Sequence, residues 1–444
     1  MQLTGELIIQ LGFWLTWLIV PLVYELLPTV WGLARLVFTK GSSVTTPKVL
    51  PPVSLIIPTY NSADTLYECL QSVADSSYPQ ELIWILIADN QSTDGTFAVF
   101  QQAQVAFPNL RIQWLNTGRG KAIALNAAIY NTNGRYVINI DSDGILEQNA
   151  LLNMVKQFES EPTIDALTGT ILTQHQQIRK QSSLWLRLLQ VDEYFEYVQD
   201  FLTGRTVESV NNQLFTMSGA FSAFRREKLL RTRLYNTNTV GEDIEMTFQI
   251  RHELKGRIAV CHNAVFYVEP IPSFDALYTQ RQRWQRGEFH TVQKFIQGKA
   301  GIMAIFRNFV VRRLIIDHTV LFLRMIWLFA FFILVPFGYS LHLVGMSFLL
   351  LYLLYVGISF LNFISASYYL RPFRDDHRYY LSRWWVIFTL PIFFFLTSLI
   401  QMVGIVNAMT QPEQWKGKSY SEESRTIKRI ICQDLKEVIR KNEK

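Results

Sequence analysis

Apolar positions fall along this chain in two rhythms. From Leu7 to Tyr24 no charge interrupts the apolar run, and about 20 such residues span a hydrocarbon core, so the pattern predicts one membrane-crossing helix. Glu6 precedes the run and no lysine or arginine does, so the basic flank of a cleaved leader is missing and the segment reads as retained. His318 to Ala366 carries Arg324 as its single formal charge and is broken by Pro336, Gly338 and Gly345, which predicts two crossings joined by a turn. Trp384 to Met409 is uncharged and predicts a third. Arg324 falls about one turn into its predicted helix, where it can snorkel to the interface; the competing reading is a group on a polar substrate path. Between Val49 and about Phe295 the rhythm changes to short β-branched runs alternating with amphipathic stretches, the pattern of an α/β layered domain. Val53-Ser-Leu-Ile-Ile57, Ile83-Trp-Ile-Leu-Ile87, Arg111-Ile-Gln-Trp-Leu115 and Tyr136-Val-Ile-Asn-Ile140 predict strands, with helices over 65–74, 96–106 and 121–130.

Composition narrows the class. Charged residues make up 18% against 49% hydrophobic, which excludes a highly charged disordered chain. Cys69, Cys261 and Cys432 are far apart and form no CxxC, which excludes a disulfide scaffold and a zinc ribbon. The net charge of +6 is spread out, so lipid rather than nucleic acid is the expected partner. Arg35, Lys40 and Lys48 follow the first apolar run and predict a cytoplasmic catalytic block in a multi-pass cell-membrane protein. The expected organisation is a membrane segment over 1–40, a soluble domain over 41–295, an interfacial amphipathic helix over 296–316, membrane helices over 317–410 and a basic tail over 411–444. The arginines of Arg371-Pro-Phe-Arg-Asp-Asp-His-Arg378 put that loop inside. Three crossings then leave the basic tail outside, against its charge, so either the last segment is re-entrant or the charge rule fails.

In open α/β sheets ligands sit beyond the carboxyl ends of strands. The first predicted strand ends in Pro58-Thr59-Tyr60-Asn61, and the second in Asp89, whose carboxylate can accept from a base N–H or a ribose hydroxyl; the alternative is a polar turn. After the third, Gly118-Arg119-Gly120-Lys121 opens a helix whose free N–H groups and ammonium suit a phosphate, although a flexible turn gives the same tetrapeptide. The fourth delivers Asp141-Ser142-Asp143, two carboxylates able to face a hard divalent ion. Further on, Glu242-Asp243 opens a helix and Gln280-Arg-Gln-Arg283-Trp284 lies within another. A cap and a basic interfacial face would explain them separately. Together they supply a carboxylate base, a guanidinium for a diphosphate and an indole to stack on a sugar.

In this order the motifs resemble those of the membrane-embedded processive glycosyltransferases of family 2, the cellulose, hyaluronan and poly-N-acetylglucosamine synthases. The D, DxD, TED and QxxRW series corresponds to Asp89, Asp141-Ser-Asp143, Glu242-Asp243 and Gln280-to-Trp284, supported by Ile57-Pro-Thr-Tyr-Asn61, Gly120-Lys-Ala-Ile-Ala-Leu-Asn126 and Ser218-Gly-Ala-Phe-Ser-Ala-Phe-Arg225. The overall plan is most similar to that of the bacterial poly-N-acetylglucosamine synthases. The resemblance implies a Rossmann-like GT-A domain inserted between transmembrane helices and an inverting, metal-dependent transfer from a UDP-sugar to a growing polysaccharide, processive and coupled to export. It implies Asp243 as base with Glu242 beside it; Thr59, Asn61, Asp89, Lys121, Asp141 and Arg283 at the nucleotide-sugar; Met217, Ser218, Gly219, Gln280 and Trp284 at the acceptor; and Asp143 on Mg²⁺ or Mn²⁺. Accessory export or synthase subunits are compatible partners. Two positions depart from the family's pattern: Asn90 stands where many relatives have a second Asp, and Gly241 where the TED triplet has Thr.

Single-sugar transfer to a polyprenyl phosphate would use the same nucleotide site, but the QxxRW match favours a retained acceptor. A non-catalytic nucleotide-binding export subunit would not need the base. Arg425-Thr-Ile-Lys-Arg429 and Asn90-Gln-Ser-Thr-Asp-Gly95 fit the two halves of a cyclic-dinucleotide motif in the wrong order and place, and read as chance. No HExxH is present, so no zinc site is expected.

Overall fold

The computed structural model describes residues 2–38, 46–239, 241–297, 309–410, 419–425 and 429. An eight-stranded mixed sheet forms the centre of the soluble domain. Its strands are β1 (Val53–Thr59), β2 (Ile83–Asp89), β3 (Arg111–Asn116), β4 (Tyr136–Ile140), β5 (Gly144–Leu146), β6 (Ile164–Thr173), β7 (Phe221–Arg225) and β8 (Arg257–Val268), in the order β3-β2-β1-β4-β7-β6-β8-β5. β3, β2, β1 and β4 run parallel. Helices cover both faces of this half, so β1 and β4 are buried along their whole length and read in sequence as unbroken apolar runs. β7 enters antiparallel to β4, with Ile140 opposite Phe221. The carboxyl end of β4 therefore meets the start of β7, and the first acid after β4 is pinned there: Asp141 N donates to Ala220 O at 3.2 Å.

Three helices are long and apolar enough to cross a membrane: Gln10–Leu36, Leu341–Leu370 and Leu390–Met409. A shorter apolar stretch, Thr319–Leu334, belongs to the helix Phe309–Leu334. The N-terminal helix runs on to Phe38, well past the predicted end at Tyr24, because a π-turn at Leu22–Leu26 follows Pro21. Such a turn absorbs the hydrogen bond that proline cannot make. Of the expected interfacial helix, residues 298–308 lie outside the described residues, and from Phe309 the chain already belongs to the membrane helix. The tail's expected basic helix also lies mostly outside them.

Arg324 does not snorkel. Its helix starts earlier than expected, at Phe309, so Arg324 sits near the middle, where the π-turn presents Glu25. Arg324 Nη1 lies 3.4 Å from Glu25 Oε1, which also accepts from Tyr355 Oη at 2.8 Å, and Arg324 Nη2 donates to Ser398. Four helices thus meet at one polar cluster, and an unpaired charge in such surroundings is costly. Arg324→Gln is expected to lower the melting temperature in detergent by several degrees, with part regained in the swapped pair Glu25→Arg/Arg324→Glu. Equal melting of wild type and R324Q would show the pair to be inert.

The segment after Leu341–Leu370 docks on the soluble domain. Asp376 accepts from Tyr194 Oη at 2.9 Å and Tyr267 Oη at 2.6 Å, with His175 stacked on Tyr379 beside it. Both ends of Leu390–Thr410 also touch the domain: Thr389 donates to Asp192 at 2.6 Å, and Asn407 donates to Gln282 at 3.1 Å. Beyond that helix, Ser421 donates twice to Asp275, so this part of the tail lies beside the domain.

Asp192 and Glu193 are buried, and burial pushes both carboxyls up to about 7. The folded chain therefore holds protons that the unfolded chain has released. The stability this gives is whole below about pH 4 and is lost as pH rises through about 7. Melting temperature is expected to fall between about pH 5 and 8, and Asp192→Asn, which cannot ionise, to flatten the fall. An unaltered slope in D192N would remove Asp192 from this account.

Candidate active site

A cavity of about 330 Å³ opens where β4, β7 and β8 converge. Asp141 and Asp143 reach it from the end of β4. Asp143 precedes Gly144, which pairs with Val268; one step further along that antiparallel register, Glu269 stands across from Asp143, and it also lines the cavity. Burial pushes the Asp143 carboxyl up to about 6, and Asp141 adds to the shift. Lys121 enters from the start of the helix Lys121–Tyr130. Gly120 sets that entry with φ 131°, a left-handed value that favours glycine, and its N–H is held by the Asn90 side chain. Asn90 thus acts as a backbone clamp at the position where the family has its second Asp. Lys121 Nζ lies 2.5 Å from Asp141 Oδ1. Burial lowers the Lys121 pKa, but Asp141, Glu242 and Asp143 outweigh it and hold the ammonium above its ordinary value.

Glu242 and Asp243 occupy the first turn of the helix Glu242–Phe248. Asp243 Oδ1 accepts from Ile244 N at 2.8 Å, and a Cβ added at Gly219 would lie 3.4 Å from Asp243 Oδ2. Burial raises both carboxyls. For Asp243 the opposing influences are the Ile244 N–H, then Lys121 and Arg205. The missing threonine of the triplet has a steric cause, since a Cβ at Gly241 would come within 2.9 Å of the Gly287 backbone. A hydroxyl is still supplied nearby: Thr239 Oγ1 accepts from Gly241 N at 3.3 Å. Restoring the triplet with Gly241→Thr is therefore expected to lower both melting temperature and transfer, by an overpacking cost of about 1–3 kcal/mol. A variant as stable and active as wild type would contradict this packing.

Gln280, Arg283, Trp284, Gly287 and Glu288 share the helix Phe274–Gln297 and line the cavity, because spacings of three and four residues fall on one helical face. Trp284 lies edge-on to Phe201, with ring centroids 6.0 Å apart. The cavity lining carries six carboxylates (Asp141, Asp143, Glu242, Asp243, Glu269 and Glu288) against three cations, Lys121, Arg205 and Arg283. An anionic nucleoside diphosphate entering such a field needs added positive charge. Oxygen donors suit a hard dication, and the raised Asp143 carboxyl is the one such an ion would relieve most. Among the described residues no three acids, histidines or cysteines converge to hold a metal alone. The donor set thus fits an ion that the substrate's own phosphate oxygens help to bind.

Ten of the expected site residues share this cavity: Lys121, Asp141, Asp143, Ser218, Gly219, Glu242, Asp243, Gln280, Arg283 and Trp284. Thr59 and Asp89 lie apart from its lining, opposite each other at the ends of β1 and β2. Asp89 accepts from Ser92 N at 3.2 Å, and the Asn61 side chain accepts from Thr93 N at 2.8 Å, so both organise the loops around a neighbouring rim. Met217 packs in the core beneath the site. Sequence reasoning missed Arg205, Glu269, Glu288, Tyr197 and Phe201. The strand-end rule would have found Glu269 had β8 been recognised, and helical spacing from Trp284 would have found Glu288. Arg205 sits at the start of a short helix and carries no sequence signal.

Strand-end acids, a helix-start carboxylate pair and a basic-aromatic helix around one cavity on this sheet define a GT-A glycosyltransferase. Residues 51–287 match the family described as glycosyltransferase like family 2, and the chain belongs to that family. Poly-β-1,6-N-acetyl-D-glucosamine synthase of Staphylococcus epidermidis is 26% identical over 235 residues, 53% of this chain and 54% of that protein. The synthase of Staphylococcus aureus strain MSSA476 is 27% identical over 239 residues, 54% of this chain and 55% of that one. The match thus spans about half the length of these relatives. In fold, the chain is similar to a mannosyltransferase from Pyrobaculum calidifontis solved with GDP-mannose and Mn²⁺, with a TM-score of 0.59, 19% identity and coverage of 90% of this chain and 98% of that one.

Proposed function

We propose that this glycosyltransferase moves N-acetylglucosamine from its UDP-activated form onto a growing saccharide held at the membrane, with inversion at the anomeric carbon. The reading rests on one observation: the buried carboxylate Asp243 shares a cavity with Asp143, Lys121 and Arg283. The sugar and the polymeric product are taken from the names of the staphylococcal relatives.

In this mechanism Asp243 takes the proton of the acceptor hydroxyl as its oxygen attacks the anomeric carbon, and the bond to the nucleoside diphosphate breaks. Lys121 and Arg283 meet the charge that develops on the departing diphosphate, the term expected to be largest. Asp143, with Asp141 behind it, would hold Mg²⁺ or Mn²⁺, which supplies further neutralisation of that diphosphate when bound. Glu242 keeps negative charge beside the base and so favours proton uptake by Asp243. Gln280, Ser218 and Gly219 border the acceptor, and the Trp284 indole gives it a stacking face. Thr59, Asn61 and Asp89 shape the neighbouring rim for the nucleoside. The soluble domain lies in the cytoplasm, and the tail, which touches Asp275, lies on the same side.

Burial raises Asp243, so the base is protonated and idle at a pH where ordinary carboxylates have already ionised. The acid limb of the kcat/KM profile is expected above about pH 4, with rate rising as pH rises through it. Membranes containing the protein, given radiolabelled UDP-N-acetylglucosamine and Mn²⁺ or Mg²⁺, are expected to retain label in a long polymer. A single lipid-linked sugar as the end product would overturn the polymer reading.

A further inference from the structure

Arg281 sits inside the Gln280-to-Trp284 run but does not line the cavity. It is 2% exposed. Its Nη2 donates to Glu196 Oε2 at 2.5 Å, and its guanidinium carbon lies 4.2 Å from the centroid of the Trp284 ring. Tyr197, next to Glu196 on the helix Leu184–Tyr197, presents its ring 5.8 Å from the same carbon. Withdrawing a guanidinium from water this completely costs several kcal/mol, and a hydrophobic residue of similar volume would fill the space without that cost. Here the cation keeps its charge because Glu196, Glu193 and Asp200 surround it.

Two features of the geometry are more specific than charge balance. Arg281 and Trp284 are three residues apart on one helix, so they are surface neighbours. The carboxylate gripping Arg281 comes from a different helix, so the guanidinium is fixed from outside and its position carries over to the indole. The indole is closed in by Phe201, edge-on at 6.0 Å, and by Tyr197 at 6.4 Å. Trp284, Tyr197 and Phe201 all reach the cavity, whereas Arg281 stands behind them.

We propose that Arg281 is a positioning residue: clamped by Glu196, its guanidinium holds the Trp284 indole in one orientation on the cavity wall and so presents a fixed stacking face to the acceptor saccharide. This deepens the proposed function and rests on its reading of Trp284 as the acceptor platform. A lysine could keep the ion pair but has no planar cation to lay on the indole. Glu196→Gln would loosen the clamp while leaving the aromatic contact possible.

The test uses the full chain in nanodiscs, saturated with UDP-N-acetylglucosamine and Mn²⁺, with a β-1,6-linked N-acetylglucosamine oligosaccharide as acceptor. Arg281→Met is expected to raise the acceptor KM about tenfold while UDP affinity stays as in wild type, with Arg281→Lys between the two. The ¹⁹F resonance of 5-fluorotryptophan at position 284, assigned by its loss in Trp284→Leu, is expected to shift or broaden in R281M. Because Arg281 acts through Trp284, R281M/W284L should be no worse than W284L. A wild-type acceptor KM with an unmoved resonance in R281M, or losses that multiply in the double variant, would overturn the proposal. If R281M does not fold, E196Q carries the same test: a moved resonance with a raised KM supports the clamp, and wild-type values of both refute it. Should W284L leave the acceptor KM unchanged, the acceptor reading of Trp284 falls, and the ¹⁹F resonance in R281M alone decides whether the clamp exists.

Discussion

Asp243→Asn is expected to lower sugar transfer by about 10³-fold while UDP-sugar binding is kept. The size follows from the worth of a placed general base, about 10²–10⁴. Retention of binding follows from position: Asp243 lies in the first turn of its helix beside Gly219, whereas the diphosphate is expected at Lys121 and Arg283. Asparagine keeps the size of the side chain and can still accept from Ile244 N, so the fold around it should stand. Glu242→Gln is the informative companion. Glu242 raises its neighbour's proton affinity by charge, so its loss should move the acid limb of the rate profile to lower pH and cost far less in rate. Equal losses in D243N and E242Q would mean that the pair acts as a unit and that neither alone is the base.

Asp143→Asn is expected to remove dication binding at the site and, with it, the dication-dependent part of UDP-sugar affinity, at least tenfold. The cavity holds an excess of carboxylates over cations, so a donor carrying its own negative charge binds poorly unless positive charge arrives with it. Mn²⁺ titration followed by electron paramagnetic resonance reads this without reference to turnover. In wild type, UDP should sharpen Mn²⁺ binding and Mn²⁺ should sharpen UDP binding by the same factor, as linkage requires. In D143N the mutual enhancement should vanish. An unchanged enhancement would take Asp143 off the ion.

The parts of the fold legible in sequence were those whose burial is two-sided and local. β1, β2 and β4 are apolar along nearly their whole length, so their ends, and hence Asp89, Asp141 and Asp143, could be located to within two residues. β6 and β8 stayed hidden because Thr168, Gly169 and Thr170 interrupt one and His262 and Asn263 the other; their regularity comes from pairing with each other, not from their own pattern. The helix Leu184–Tyr197 was equally opaque. Its acids Asp192, Glu193 and Glu196 have the spacing of a solvated face, yet all three are buried, with partners at Thr389, Ile271 and Arg281 that are distant in sequence. Glu25 was missed for a related reason: the proline and the charge after Tyr24 resemble the end of a membrane helix, and the π-turn that carries the helix onward has no sequence signature. Within the site, the motif order marked the acids and the Gln280-to-Trp284 helix. The close approach of Gly241 to Gly287, which explains the absent threonine, exists only in three dimensions.

The most direct test of the account is a single-turnover measurement on the purified chain in nanodiscs, with radiolabelled UDP-N-acetylglucosamine, Mn²⁺ and a β-1,6-linked acceptor. UDP release and sugar incorporation are followed together in wild type and D243N. The account predicts equal amounts of UDP and transferred sugar in wild type, and a bound but unreacted donor in D243N. Matching turnover in the two proteins, or a wild type that binds the donor and acceptor yet releases no UDP, would contradict it.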